Sequence, residues 1–410
     1  MPTLRSIKRG YFYSHVVFLY SLTFLVVLPL LCNRLKFSIY YGLISPRNAT
    51  EETHNLREEN DVRLLLARQH LGFASNTNQT SYNTKLYALP KNLTDVVITV
   101  ITVSRKTKLS GLKAYDPRYL TQTVSKLIKL LGNDSSLQYF SYGLMICNVD
   151  NFPEEYQESE ELSNLVHTVV KYKHGPQLQI DRFEKEKRDY MYCLEESLVY
   201  QPSYVLLIED DAYPSDRMLS VLEYGIQNIF EGSISEFSRP QNKIAYLKLY
   251  HPERLLTFIS SEFYRLFELA AAVLMLLTIF IVVAHRKGDG HLGTSCRVLT
   301  VGGVYLFLVA LAIGRQNLVG IREISKHLHS FVPGPSCCTP ANLYSYTGAV
   351  AMIGSFAHKV SYSGHAKDML LDEFLKESGY KAIYVEPNIF RHIGQFSSLR
   401  IGTLLDPYVV

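Results

Sequence analysis

Three apolar runs constrain this chain more than any other feature of it. From Tyr11 to Asn33 there are 23 residues without Asp, Glu, Lys or Arg, enough to cross a hydrocarbon core of about 30 Å as a helix. Arg5, Lys8 and Arg9 precede the run, and no small-residue cleavage site closes it at Leu30-Leu31-Cys32-Asn33-Arg34. An uncleaved anchor is therefore expected rather than a signal peptide, with a cytosolic N-terminus. Leu269–Ala284 and Val298–Gly314 are shorter, 16 and 17 residues, with His285, Arg286, Lys287, His291 and Arg297 between them. That pattern predicts a helical hairpin with a basic cytosolic tip; two buried core helices are the competing reading. The expected order is a cytosolic tail (1–10), an anchor (11–33), a lumenal stem (34–93), spans at 265–284 and 298–314 around a cytosolic loop (285–297), and a lumenal body in two parts, 94–264 and 315–410. Outside the runs the chain is ordinary: 47% hydrophobic, 20% charged. That excludes disorder and coiled coil, and a net charge of +4 is too small and dispersed for nucleic-acid binding.

The body reads as α/β. Asp95–Val103 is a nearly continuous β-branched run, as in a strand buried on both faces. Further strands are expected at Tyr142–Cys147, Val166–Val170, Tyr204–Ile208, Ile244–Tyr250 and Ala382–Val385. Helices are expected at Glu51–Arg68, Tyr119–Leu131, Phe183–Tyr200, Arg217–Phe230 and Asp368–Ser378, and a loop at Gly72–Leu89. Strands alternating with helices indicate an α/β sheet. Either the C-terminal part stands alone, or both parts complete one sheet.

Four places could carry chemistry. Tyr204–Ile208 runs into Glu209-Asp210-Asp211, and the C-terminal edge of an α/β sheet is where ligands bind. Three adjacent carboxylates repel one another unless a cation joins them, and hard divalent ions such as Mn²⁺ or Mg²⁺ prefer oxygen ligands. His392 follows a strand and could add an imidazole ligand. Asp368 either caps a helix or acts as a general base. The basic residues of Phe183–Tyr190 either contact phosphates or form a solvated helix face. Four sequons, at Asn48, Asn78, Asn92 and Asn133, lie in the part expected to be lumenal, where N-glycosylation occurs. In that oxidising compartment Cys147, Cys193, Cys337 and Cys338 can pair in three ways; Cys32 and Cys296, in or beside spans, are expected to be free.

Six segments appear in an order that is recognisable: FEKEKRDYMYCLEES, YVLLIEDDAYP, YLKLYHPERL, SCCTPA, AKDML and VEPNIFRHIGQFSSLR. Together, over roughly residues 95–400, the chain resembles the post-GPI-attachment GalNAc-transferases, the transmembrane protein 246 family, which add N-acetylgalactosamine to glycosylphosphatidylinositol (GPI) anchors. The resemblance implies a GT-A glycosyltransferase fold, a Rossmann-like sheet interrupted by a tandem transmembrane hairpin. It implies a multi-pass Golgi membrane protein with a lumenal catalytic domain, UDP-GalNAc as donor, the first mannose of the GPI core of GPI-anchored proteins as acceptor, and inversion at the sugar carbon. It places the metal, usually Mn²⁺, on Glu209, Asp210, Asp211 and His392, with Asp211 the chief ligand, and the base on Asp368. It places the donor near Thr102, Val103, Ser104 and Arg105, near Lys185 and Lys187, near Thr339, Pro340 and Ala341, and near Gly364, His365 and Lys367. It pairs Cys147 with Cys193 and leaves Cys337 to Cys338. Two other readings are another lumenal UDP-sugar transferase of this fold, such as an N-acetylglucosaminyltransferase, and a non-catalytic GPI-binding membrane protein.

Overall fold

The computed structural model describes residues 4–44, 49–72, 94–106, 115–132, 138–173, 175, 180–232, 243–259, 263–286, 296–335 and 337–396. All four sequon asparagines, and most of the loops expected at 72–89 and 285–297, lie outside them. The chain divides into two units, Met1–Thr53 with Glu253–Ile321, and His54–Pro252 with Arg322–Val410.

In the first unit, helix Leu4–Leu22 passes through a π-turn, Thr23–Val27, into Leu28–Cys32. Pro29 explains the wider turn: it lacks an N–H and its ring crowds the carbonyl four residues earlier. Tyr13–Cys32 and Tyr264–Val283 are long and apolar enough to cross a membrane. A third helix, Leu299–Ile313, is shorter and bends by 97° into Arg315–Ile324. The bend sits at Gly314 (φ +91°), where an added Cβ would stand 2.3 Å from the Phe37 carbonyl oxygen, so only glycine fits. Leu25, Phe267 and Leu274 are 65–75% exposed, which costs free energy in water and nothing in lipid.

The second unit is built on one eight-stranded sheet. In chain order its strands are β1 (Val96–Thr102), β2 (Tyr142–Asn148), β3 (His167–Val170), β4 (Tyr204–Glu209), β6 (Ile244–Lys248), β7 (Ser330–Pro333), β8 (Ala341–Ser345) and β9 (Lys381–Glu386). A two-stranded ribbon joins β5 (Ala212–Pro214) to β10 (Phe390–His392). The spatial order is β3-β2-β1-β4-β8-β6-β9-β7. The first four strands are mutually parallel, and β8 is antiparallel to both its neighbours, β4 and β6. Residues from after the apolar hairpin therefore lie in the middle of a sheet begun before it. The open question of the sequence is decided: both parts complete one sheet.

Side chains alternate across the sheet as its pleat demands. Val96, Ile98, Val100, Leu206 and Ile208 enter one core, with helix Tyr119–Gly132. Val205 and Leu207 enter the other, with helices Arg182–Leu198, Tyr346–Phe356 and Lys367–Ser378. Helix Ala49–His70 lies where a stem was expected, yet from Asn60 onward it packs on this unit: Asn60 and Arg63 bond Gln122, and Ala67 and Leu71 are buried. Cys147 on β2 is bridged to Cys193 on helix Arg182–Leu198, and Cys337 to Cys338.

Candidate active site

The site forms where β1 and β4 end side by side, with Ile101 opposite Glu209. A buried apolar strand that meets three acids must stop there, since the carboxylates need partners the sheet does not offer. The three acids are met by three cationic side chains, of which Arg105 serves two. Glu209 receives Lys367 Nζ at 3.0 Å, and Lys367 also meets Glu186 at 2.8 Å. Asp210, 1% exposed, accepts from Arg105 Nη2 at 2.9 Å and from the Thr102 hydroxyl at 2.8 Å. Asp211 lies 3.4 Å from both Arg105 Nη2 and His392 Nε2.

His392 reaches Asp211 because β10 pairs with β5, placing His392 opposite Ala212. The Ile393 N–H donates to the Asp211 carbonyl at 2.9 Å. Gly394 must be glycine, since a Cβ there would lie 2.2 Å from Asp211 Oδ2. Burial alone would raise the Asp211 carboxyl, but Arg105 and His392 outweigh it and hold it well below the usual carboxylate range. Burial raises Asp210, and Arg105 only partly opposes that. Burial alone would lower His392, but the Asp211 carboxylate overrides it and raises the imidazole.

Two atoms test whether a divalent ion fits. Asp211 Oδ1 and His392 Nδ1 are buried and have no hydrogen-bond partner, a costly state unless something else satisfies them. A carboxylate oxygen and an imidazole nitrogen each suit Mn²⁺; the His392 nitrogen that faces Asp211 is the other one, Nε2. Each Asp210 oxygen accepts one hydrogen bond, from Arg105 and from Thr102, and Asp210 thereby orients Arg105. Among the described residues, the one group of three or more ligand-type side chains whose atoms converge within 4.8 Å is Cys337, Cys338 and Asp368, and its sulfurs are joined to each other.

Asp368 does not cap its helix. The N-cap of Lys367–Ser378 is Ala366; the Asp368 oxygens accept from the Met369 N–H at 3.0 Å and the Cys338 N–H at 3.4 Å. This carboxylate is half-exposed, and the residue before it, Lys367, is bonded to Glu209. The segment Thr339-Pro340-Ala341 borders it too, for the Pro340 carbonyl accepts from the Glu209 N–H at 2.8 Å.

The other expected residues have these surroundings. Lys187 is 3% exposed and spent on Glu184 and the carbonyls of Phe356 and Lys359. Lys185 bonds Asp189 and the Val149 carbonyl. Arg105 binds the acids and the Phe396 carbonyl. His365, after Gly364, stacks on Tyr362 and lies 3.3 Å from Glu373. Val103 packs against the second core, and the Ser104 N–H donates to Asp150. The sequence reading missed Tyr156 and Glu158. The Tyr156 hydroxyl lies 2.6 Å from Thr102 Oγ1 and donates to Glu158 at 3.2 Å, extending a buried polar chain from Asp210. No local signal marked them, beyond a carboxylate two residues after an aromatic.

Among solved structures, the chain is similar to TarS (residues 1–349) from S. aureus, with 15% identity and a TM-score of 0.22 over 33% of this chain and 33% of that one. A family model described as GPI-N-acetylgalactosamine transferase PGAP4 matches residues 96–391. That range runs from the start of β1 almost to His392 and includes every acid of the site, and the chain belongs to that family of glycosyltransferases.

Proposed function

We propose that this protein transfers N-acetylgalactosamine from UDP-GalNAc to the first mannose of the GPI core of GPI-anchored proteins, in the Golgi lumen, with inversion and with a divalent ion, Mn²⁺ or Mg²⁺. The observation that carries the reading is the buried acidic cluster at the C-terminal edge of the sheet, with His392 beside Asp211, in a member of this transferase family. Asp211 and His392 would hold the ion, which when bound neutralises the diphosphate of the leaving group. Arg105 keeps Asp211 ionised. Asp210, fixed by Thr102, keeps Arg105 in place. Gly394 lets the backbone approach closely enough for His392 to meet Asp211.

An inverting transfer is a single displacement, so it requires one base and no covalent enzyme intermediate. Asp368 would take the acceptor hydroxyl proton. It is half exposed, as a group that must meet an incoming sugar has to be. Lys367 neutralises Glu209 and Glu186 beside it, which limits their repulsion of the donor phosphates.

The test is a panel of UDP-sugars with the purified full chain, with and without Mn²⁺, alongside Asp368→Asn. UDP-GalNAc should be the preferred donor. The substitution should lower kcat by about 10² to 10⁴ while UDP affinity is kept. A preference for UDP-GlcNAc or UDP-glucose would reject the donor, and equal loss of binding and turnover would make Asp368 structural.

A further inference from the structure

The apolar surface of the first unit does not stop where its long apolar helices stop. Ile39, Leu43 and Ile44 follow the first span, Ile259 and Phe263 precede the second, and Ile321 lies on the bent segment after the third helix. All six are between 51% and 79% exposed. Single exposed apolar residues are ordinary on a protein surface, but these six belong to three chain segments that are tied together. The Ile39 N–H and the Ser38 hydroxyl both donate to the Ala312 carbonyl, at 3.1 and 2.7 Å. Asn317 Nδ2 donates to the Lys36 carbonyl at 2.6 Å, and Gln316 Nε2 to the Glu253 carbonyl at 2.8 Å. The end of the third helix thus fixes the segment after the first span and the segment before the second.

This layer has a defined level. The first span ends in it at Cys32, the second begins in it at Tyr264 and the third helix ends in it at Ile313, so it lies on one side of the bilayer those helices would cross. The 97° bend after Ile313 turns a helix that runs across a membrane into one that runs along its surface. Tyr264, at the start of the second span, is partly exposed; tyrosine is enriched at this level because its ring is apolar and its hydroxyl is not. Segments that lie in the interface bury their apolar side chains about 5–10 Å into the boundary between headgroups and acyl chains. Exposed to water, the six side chains would cost free energy. The occupant of this surface follows from continuity. Phe267, exposed on the second span, stands four residues beyond Phe263 and on the same face, so the lipid that covers one reaches the other.

We infer that these three segments form a collar seated in the headgroup–acyl boundary of a phospholipid bilayer, on the side where the first span ends. Residues 39–44 fall in the expected stem and residues 315–321 in the expected lumenal body, and the collar gives both a place in lipid instead of water. The inference rests on the long apolar helices being spans and needs nothing of the proposed reaction. The collar sets the depth at which the chain leaves this unit, after Ile321.

The chain has no tryptophan, so a single one reports its own surroundings without background. The full chain is reconstituted in phosphatidylcholine vesicles as Ile321→Trp, as Leu43→Trp, and as Leu276→Trp, which is exposed on the second span about 18 Å along the helix from Tyr264. The lipid carries bromine, which quenches on contact, either near the headgroup end of its chains or near their methyl ends. At the two collar positions shallow bromine should quench at least about twice as strongly as deep bromine, and at Leu276→Trp the order should reverse. Acrylamide, dissolved in the water, should quench the collar positions several-fold less than it quenches free N-acetyltryptophanamide. Acrylamide quenching equal to that of the free compound, with none from either lipid, would place the segments in water and overturn the inference. Protection from acrylamide without lipid quenching would mean that protein covers this face and would also overturn it, as would deep-bromine quenching equal to that at Leu276→Trp. Absence of lipid quenching at Leu276→Trp would overturn the spans and the collar together. The substituted side chains are all exposed, and Ile259→Trp, on the same collar, replaces either collar variant that fails to fold, with the same outcomes. Quenching needs no turnover, so it can succeed or fail independently of the donor panel.

Discussion

Replacing Glu158 by Gln tests the electrostatics of the buried chain behind the acids. Glu158 is 4% exposed and accepts from the Thr121 N–H at 2.6 Å. Burial raises its carboxyl from the ordinary 4.5 to about 8, and the Thr121 bond offsets only part of that. The folded protein therefore binds a proton that the unfolded chain releases. The stability this provides is complete below pH 4.5 and is lost as pH rises through about 8, at about 1.36 kcal/mol per pH unit. From pH 5.5 to 7.5 the loss from this group is about 2.7 kcal/mol. With a shift of about 2 °C per kcal/mol for a body of this size, the melting temperature should fall by about 5 °C over that window. Glutamine keeps the acceptor for Thr121 and cannot ionise, so Glu158→Gln should lack this decline. The assay is thermal unfolding of the purified full chain, followed by circular dichroism at pH 5.5, 6.5 and 7.5, for both proteins. Other groups titrate equally in both, so the difference between the two curves isolates Glu158. Parallel curves would mean that Glu158 is ionised at neutral pH and that the burial argument is wrong.

Gly394→Ala should lower transfer by about 10²-fold, through displacement of Asp211 by a few tenths of an ångström to an ångström. The same clash with a buried, paired side chain should also lower its melting temperature; a variant normal in both rate and stability would show that Asp211 need not stand where it does. Replacing both Cys147 and Cys193 by serine opens a bridge of sequence separation 46. Chain entropy then predicts a loss of about 4 kcal/mol, read as a lower urea midpoint under non-reducing conditions; an unchanged midpoint would refute the bridge's contribution.

Much of this molecule is legible from local pattern, and the remainder is unread for identifiable reasons. β1 and β4 stand out because strands buried on both faces are continuous apolar runs, and β4 ends in charges that no interior strand tolerates. β8 passes unnoticed. It is five residues long and contains Asn342, whose side chain is buried against Tyr190 and Tyr344. A buried polar residue with distant partners looks like a loop residue until those partners are known. The ribbon that sets His392 opposite Ala212 has only three residues on each side, too few for any period to register, so His392 was singled out by resemblance and not by spacing. The inward turn of Lys187 is legible from spacing. Residues 185 and 187 are two apart and cannot share a helix face; one had to turn inward, and Glu184 is its companion there. The resemblance implies a place for Arg105 near the donor, at the end of β1. It meets the acids because β4 ends beside it, a pairing between residues about a hundred positions apart.

The position of β8 between β4 and β6 affects how the enzyme could leave its membrane. A glycosyltransferase held by one N-terminal anchor is released into secretion by a single cut in the segment that follows the anchor. The same cut here, anywhere between Cys32 and Val96, would remove the first span and liberate nothing. The polypeptide that supplies β8 is reached only through helices Tyr264–Arg286 and Cys296–Ile313, so the severed body would remain moored by its own interior.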